Sequence, residues 1–388
     1  TGLVGSEMCI RDRKRVKAKT VAIVGGGCAG WSLAARVDQL SANRVTLYLK
    51  EEPHPSHNWG FWQMPWLSDA LSKKRAMWNS WQIITDEGIV THHSRNHAYC
   101  SITSDDWFDW CQQRFHSAAT TTEIIRLPVT NTDKNILMTS DHKKRYDFIY
   151  DSRPPKADKN ILLQHFKGLE IKTSIPVFNS KAAVLMDFRV SQKNGIHFMY
   201  VLGYDAYTAL VESTFFSTST HREEVYDEAI KDYLSRIYNV TSFEIIKSEK
   251  GIIPMGEVRP KDQNPFLYSI GSNAGAIRPS SGYAFSFIQK QITRFLDRQT
   301  KPTTPHKKHD LMMDHIFLEV LKSHPEKAQR LFFKLARALD GDSFARFLSG
   351  EANIKDYFLV INSMPKWLFI NQAVRVIIKK WKRIAKWA

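Results

Sequence analysis

The sequence predicts an α/β fold: a parallel-sheet unit at its start, an antiparallel β-sheet region set within it, and a helical, basic C-terminal region. Three observations carry this. A short apolar run ends in three consecutive glycines and is followed by a helix-forming stretch and a second apolar run, all within about 30 residues. Residues 184–190 and 197–216 alternate apolar and polar side chains, the period of a half-buried antiparallel sheet. From about residue 309 the periodicity becomes helical and rich in Lys and Arg.

The first residues are set aside. The stretch LVGSEMCIRD at 3–12 resembles a translated sequencing adapter and lacks the apolar centre of a secretory signal. Residues 1–13, with Cys9, are expected to be a non-native leader. Fold reasoning then starts at the strand expected over 17–24, whose VAIV end runs into Gly25-Gly26-Gly27. A helix is expected over 29–40 and a second strand over 44–49. Gly25, Gly27 and Gly30 form GxGxxG between the first strand and the helix. Chemistry asks for glycine at each place: Gly25 for the tight turn, Gly27 so the backbone can approach a pyrophosphate, Gly30 for close helix–strand packing. Free N–H groups at the helix start then face the anion. The reading is a Rossmann-like FAD/NAD(P)-binding domain. Its usual acid, at the end of the second strand, is replaced by Leu49, and Glu51 is the expected substitute for binding the ribose.

Residues 53–115 are rich in Trp and carry mixed signals. A short strand is expected over 146–150, a helix over 222–238, a strand over 266–270 and a helix over 283–298. Between the last two lies a second Gly-rich segment with Gly271, Gly275 and Gly282, whose backbone is expected to reach the same cofactor. Residues 301–308 read as a linker. The expected organisation is a cofactor domain over 14–300, an inserted substrate-binding sheet region over about 90–250, and a C-terminal region over 301–388.

Composition narrows the function classes. A net charge of +16 points to phosphate-bearing or anionic partners. No nucleic-acid motif accompanies it, and no nucleic-acid partner is expected. Near the end, Val374, Ile377, Ile378, Trp381 and Ile384 share one helix face, with basic residues largely off it, which suits an anionic membrane interface together with Trp387. No run has the roughly 18 apolar residues needed to span a bilayer. Four Cys without CxxC spacing fit a reducing cytoplasm. His92, His93 and His97 lack a completing Cys or carboxylate, so no metal site is expected.

Several segments together resemble the lycopene cyclase family. They are Asn58-Trp59-Gly60-Phe61-Trp62 (with Gly60 where Cys is usual), Tyr150-Asp151-Ser152-Arg153, Leu185-Met186-Asp187-Phe188-Arg189, Ala209-Leu210-Val211-Glu212-Ser213-Thr214, Glu249 with Gly251-Ile252-Ile253-Pro254-Met255, and the Gly271–Phe285 stretch. The resemblance implies closure of the linear ends of lycopene, a carotenoid, into β-rings without net redox change. Reduced FAD is implied as cofactor and NAD(P)H as reductant. The protein would then lie in the cytoplasm, peripheral to the membrane that holds the carotenoid; the oligomeric state stays open.

Such a reaction needs an acid that protonates a double bond and a base that removes a ring-adjacent proton. Glu212 is the expected acid–base residue. Apolar residues precede it and Phe215-Phe216 follow, and a carboxyl in apolar surroundings keeps its proton near neutral pH. Asp187 and Arg189 are two apart on one strand face and are expected to shape the pocket or hold Glu212, or else to be a structural ion pair. Glu249 is a weaker candidate for a supporting role, and Trp59 and Trp62 either line a polyene tunnel or pack the core. The motifs up to the glycines alone also allow an FAD-dependent monooxygenase or reductase acting on a lipophilic substrate, or a non-catalytic carotenoid-binding relative.

Overall fold

The computed structural model describes residues 19–51, 55–155, 161–258, 264–298 and 301–384, with side chains through Val376. The leader expected over 1–13, and the side chains of Ile377, Ile378, Trp381, Ile384 and Trp387, lie outside the described residues.

Thr20–Val24 and Arg44–Tyr48 are apolar enough to be buried on both faces, and they pair in parallel at the centre of a five-stranded sheet. Around them stand Thr121–Ile125 beside Arg44–Tyr48, and Phe148–Asp151 then Leu267–Ser269 on the other side, all parallel. The first crossover helix is shorter than expected, Cys28–Ala34, and a 3-10 turn at Val37–Gln39 follows it. Arg36 leaves the helical region there and sends its guanidinium to Gln289 and Asp69, while Val37 turns into the core.

A seven-stranded sheet forms the second layer. Its order is Glu244–Met255, Leu162–Lys172, Thr208–Ser217, Ile196–Gly203, Ala182–Asp187, Ser80–Thr85 and Gly88–His93. All neighbours are antiparallel except Ala182–Asp187 with Ser80–Thr85. The expected run over 197–216 is two strands, because Asp205 Oδ1 accepts the N–H groups of Tyr207 and Thr208 and turns the chain. The sheet is not one insertion: between Gly88–His93 and Leu162–Lys172 the chain returns to the parallel sheet and to the helix Ser104–His116.

Pleating divides the large sheet into two environments. Positions such as Met199, Val201, Val211 and Leu169 face the helix Glu223–Tyr238, against its Ile230, Tyr233 and Leu234. Alternate positions such as Leu202, Leu210 and Phe216 join the main core, which also holds the parallel sheet's inner face and the C-terminal helices. A small sheet, Asn58–Trp62 with Tyr99–Thr103 and Ala76–Trp78, bridges the layers. The helices Lys308–Ser323, Ala328–Ala338, Gly341–Leu348, Ile354–Ser363 and Lys366–Ile384 complete the described chain.

Candidate active site

The opening glycines sit as the spacing demands. Gly25 has φ +103°, and a Cβ there would lie 2.5 Å from Ser152 Oγ. Ser152 donates to Val24 O at 2.7 Å, so the segment Tyr150-Asp151-Ser152-Arg153 pins the turn, and Arg153 clamps Asp151 with contacts of 2.6–3.1 Å. A Cβ on Gly30 would lie 1.9 Å from Gly25 O, a backbone atom that cannot yield. Gly27, at the helix start, has nothing within 4 Å of its Cβ direction, which leaves open space where a phosphate would approach.

The second Gly-rich segment reaches the first. Gly271, φ +65°, would place a Cβ 2.4 Å from the Ala29 Cβ, so the two turns touch only because residue 271 is glycine. Its N–H donates to Gln291 Oε1 at 2.7 Å. Gly275 backs onto Val258 O, and Gly282 backs onto Gln164 Oε1, where a Cβ would lie at 2.4 Å. These two glycines therefore shape the loop between the two Gly-rich turns and the large sheet. Glu51 is exposed, two residues past the buried Leu49.

Glu212 lies on the core-side face of the large sheet, 9 % exposed. Across one pairing it opposes Gly168, which in turn opposes Glu249; across the other it opposes Tyr200. Directly paired residues share a face, so the two carboxyls flank a glycine. A Cβ at 168 would lie 3.2 Å from Glu249 Cγ and 3.4 Å from its Oε1, so the glycine makes the room for that side chain. Burial, then the neighbouring Glu249 charge, pushes the Glu212 carboxyl up to about 8, against a smaller opposing bond from Thr214. Thr214 Oγ1 donates to Glu212 Oε1 at 2.5 Å. Burial also raises Glu249 to about 7, opposed by the Asn58 N–H that donates to its Oε2 at 2.6 Å. Glu249 Oε1 is buried with no partner among the described residues.

Above Glu212 three tyrosines converge from separate elements. Tyr99 Oη meets Tyr200 Oη at 2.9 Å and Tyr283 Oη at 3.2 Å. Burial holds all three hydroxyls well above their ordinary range, and the Glu212 charge pushes them further. Gly60 admits them: a Cβ there would lie 2.1 Å from Tyr99 Oη and 2.7 Å from Tyr200 Oη. Trp62 is buried edge-on to Tyr99 and Tyr283, with ring centroids at 4.9 and 5.2 Å. Trp59 instead stacks on Phe285 at 5.1 Å. Two surface cavities of about 650 and 390 Å³ lie elsewhere, at Lys307–Tyr357 and at Lys73–Gln113.

The expectation that Asp187 and Arg189 shape the pocket or hold Glu212 needs correction, and the alternative of a structural ion pair is what the geometry gives. Asp187 opposes Met199, whose next partner is Ser213, on the opposite face of the sheet from Glu212. Its carboxylate takes Arg189 at 2.6 Å and Tyr233 Oη of the covering helix at 2.7 Å. The pair is a structural lock between sheet and helix and neither shapes a pocket at Glu212 nor holds it. Of the residues that do surround Glu212, Gly168, Tyr99 and Tyr200 went unread in the sequence, and Thr214 and Tyr283 were read only as members of longer segments. A glycine inside a strand was an available signal; for Tyr99 and Tyr200 no local signal exists.

A family model described as lycopene cyclase protein matches residues 20–373. A lycopene beta-cyclase of Pantoea ananas is 22 % identical over 374 residues, covering 88 % of this chain and 94 % of that one. Another, from Pseudescherichia vulneris, is 24 % identical, covering 68 % of this chain and 69 % of that one. Two solved structures share the fold at TM-score 0.55. A geranylgeranyl bacteriochlorophyll reductase-like protein from Thermoplasma acidophilum is 10 % identical, over 91 % of this chain and 98 % of that one. A flavin-dependent halogenase from Xanthomonas campestris is 11 % identical, over 93 % and 95 %. The α/β fold read from the glycines is thus shared with a flavin-dependent halogenase, and by the match across nearly all of its described length the chain belongs to the lycopene cyclase family.

Proposed function

We propose that this protein closes the linear ends of lycopene into β-rings, with FAD as cofactor and no net redox change. The observation that carries the reading is Glu212: a buried carboxyl that holds its proton to about pH 8, beneath aromatic rings and beside a second carboxyl. Its Oε1 takes the Thr214 hydroxyl, which leaves Oε2 to carry the proton. That proton goes to the terminal double bond. The neighbouring alkene's electron pair then forms the ring bond to the cationic carbon. The adjacent ring carbon then loses its proton to the Glu212 carboxylate and the ring double bond forms, so acid and base are one group. Glu249 keeps Glu212 protonated by repelling its charge. The packed rings of Trp62 and the tyrosines exclude water from the Glu212 carboxyl.

The residues present fit the dinucleotide. Gly25, Gly27 and Gly30 form the cradle, and Gly271 closes against Ala29. Gly275 and Gly282 set the loop, and Glu51 is the acid available to the ribose. Reduced FAD, kept so by NAD(P)H, supplies negative charge that stabilises a carbocation. The substrate is held in a membrane, and the protein is proposed to work peripherally from the cytoplasm.

The test is expression of wild type and Glu212→Gln in a lycopene-accumulating host. Cyclised product is expected to fall by roughly 100-fold or more in the variant, with folded protein retained. Undiminished product would remove the assignment. The likeness in fold to a reductase and a halogenase favours a redox enzyme as the second reading. Stoichiometric NADPH consumption with substrate would select it.

A further inference from the structure

Two consecutive helices near the end of the described chain face the wrong way for a soluble surface. Ile354–Ser363 and Lys366–Ile384 are joined through the buried Met364 and Pro365. On the first, Ile354, Phe358 and Ile361 follow one face at i, i+4 and i+7 and are 89, 67 and 58 % exposed. On the second, Trp367, Ile370 and Val374 do the same at i, i+3 and i+7, with Trp367 79 % exposed. One polar residue of the first helix, Asp356, turns inward, while Lys355 and Asn362 are exposed. Asp356 is buried against Arg346 and caps the helix with Asn353.

The exposed charged side chains described on these two helices, Lys355, Lys366 and Arg375, are all basic. No Asp or Glu follows Asp356 in the sequence, while Lys366, Arg375, Lys379, Lys380, Lys382, Arg383 and Lys386 do. Lys355 and Lys366 are exposed beside the row. At its start a shallow cavity of about 650 Å³ is lined by Lys307, His309, Ile354 and Lys355. The nearby acids do not offset this charge: Asp310 is buried and its Oδ1 accepts Tyr357 Oη at 2.6 Å, Asp356 is paired with Arg346, and Glu351 with Lys290. A row of large exposed side chains marks an interaction surface, and exposed basic residues beside an exposed Trp match an anionic bilayer. No described helix is long and apolar enough to cross a membrane.

We propose that these two helices form a docking surface for an anionic lipid bilayer. Ile354, Phe358, Ile361, Trp367, Ile370 and Val374 enter the acyl boundary, and the lysines around the 650 Å³ cavity receive headgroup phosphate. The surface deepens the carotenoid reading by naming how the enzyme meets the membrane that holds its substrate.

The experiment uses the full chain with FAD, and a triple variant Ile354→Ser, Phe358→Ser, Trp367→Ser. These side chains are exposed, so an unchanged thermal midpoint is expected. In flotation, wild type is expected to rise with phosphatidylcholine–phosphatidylglycerol vesicles and far less with phosphatidylcholine alone. The variant is expected to bind at least about tenfold more weakly. Lycopene cyclisation from vesicles should fall with it, and cyclisation from detergent micelles should not. Absence of flotation by wild type, equal flotation by the variant, or a wild-type dimer split by the same substitutions would overturn the proposal. Should neither protein cyclise lycopene in micelles while flotation behaves as expected, the cyclase reading fails and the docking surface stands.

Discussion

A carboxyl becomes a proton donor at neutral pH only where solvation is lost and no cation repays it. Glu212 meets both conditions: no Lys or Arg contributes to its shift, and the Glu249 charge adds to the effect of burial. Two close carboxyls titrate as a pair. The descending limb of kcat/KM is expected near pH 8 in wild type, where Glu212 loses its proton. Replacing Glu249 with Gln removes a like charge, so that limb should move to lower pH; an unmoved limb would show that the two are not coupled. Linkage has the same sign. The folded Glu212 pKa is raised, so its stabilising contribution is present below pH 4.5 and lost as pH rises to about 8. Glu212→Gln should therefore gain stability relative to wild type across that window, by on the order of 1 kcal/mol per pH unit, read by urea unfolding. Gly168 is the spacer that lets both carboxyls share a face. Gly168→Val is expected to push Glu249 aside, cost about 1–3 kcal/mol and cut cyclisation at least about tenfold. Product yield per folded enzyme reads the second effect.

Pairs of the same chemistry differ in weight according to what element they sit between. Arg278, in the Gly-rich loop, meets Asp314 of the helix Lys308–Ser323 with both side chains buried, and it also donates to Phe347 O. Ser280 Oγ adds a bond to Asp314 at 2.7 Å. Removing the carboxylate strands a guanidinium with no water to receive it. Asp314→Ala is expected to cost about 3–5 kcal/mol and to loosen the loop that carries Gly271. Asp187 locks the large sheet to the helix Glu223–Tyr238, but its partner Arg189 is 37 % exposed and rehydrates when released. The loss in Asp187→Ala is then set mainly by the unpaired Tyr233 hydroxyl, about 1–3 kcal/mol. Turnover per folded molecule should be unchanged in that variant, because Asp187 faces away from Glu212. A collapse of turnover with the fold intact would return Asp187 to the site. Both costs are read from urea midpoints.

At the scale of the molecule, acid stability is governed by histidines buried neutral at its seams. His165 and His197 lie between the large sheet and its helix, bonded to Tyr226 and Ser217 and to Ser213. His306 lies beneath the Gly-rich loop, against the carbonyls of Ala276 and Ile277. Burial pulls each down to about 4. The unfolded chain binds these protons near 6.5 and the folded chain does not, so stability is full above 6.5 and is lost as pH falls towards 4. Glu212 and Glu249, raised by burial, act in the opposite sense between pH 4.5 and 6.5, so the three histidines leave a modest net drop in urea midpoints over that window. His197→Gln should flatten part of the slope, and an unchanged slope would show that His197 is not among the groups responsible.

By itself the sequence determined what depends on local backbone and order along the chain. Glycine at 25, 27 and 30 is demanded by a positive φ, an open approach and a contact of 1.9 Å, so the motif was legible without coordinates. Period-two alternation identified strands, and Glu212 stood out as a carboxyl in an apolar run. Periodicity says which residues share a face of a strand, not which strand lies beside it. The register across Gly168 that brings Glu249 towards Glu212, the convergence of Tyr99, Tyr200 and Tyr283, and the turning of Asp187 away from them were decided only by tertiary structure. The outward apolar rows of the last helices belong there too. An apolar face is the same in sequence whether it meets a core or water, and only packing shows that the core is already full.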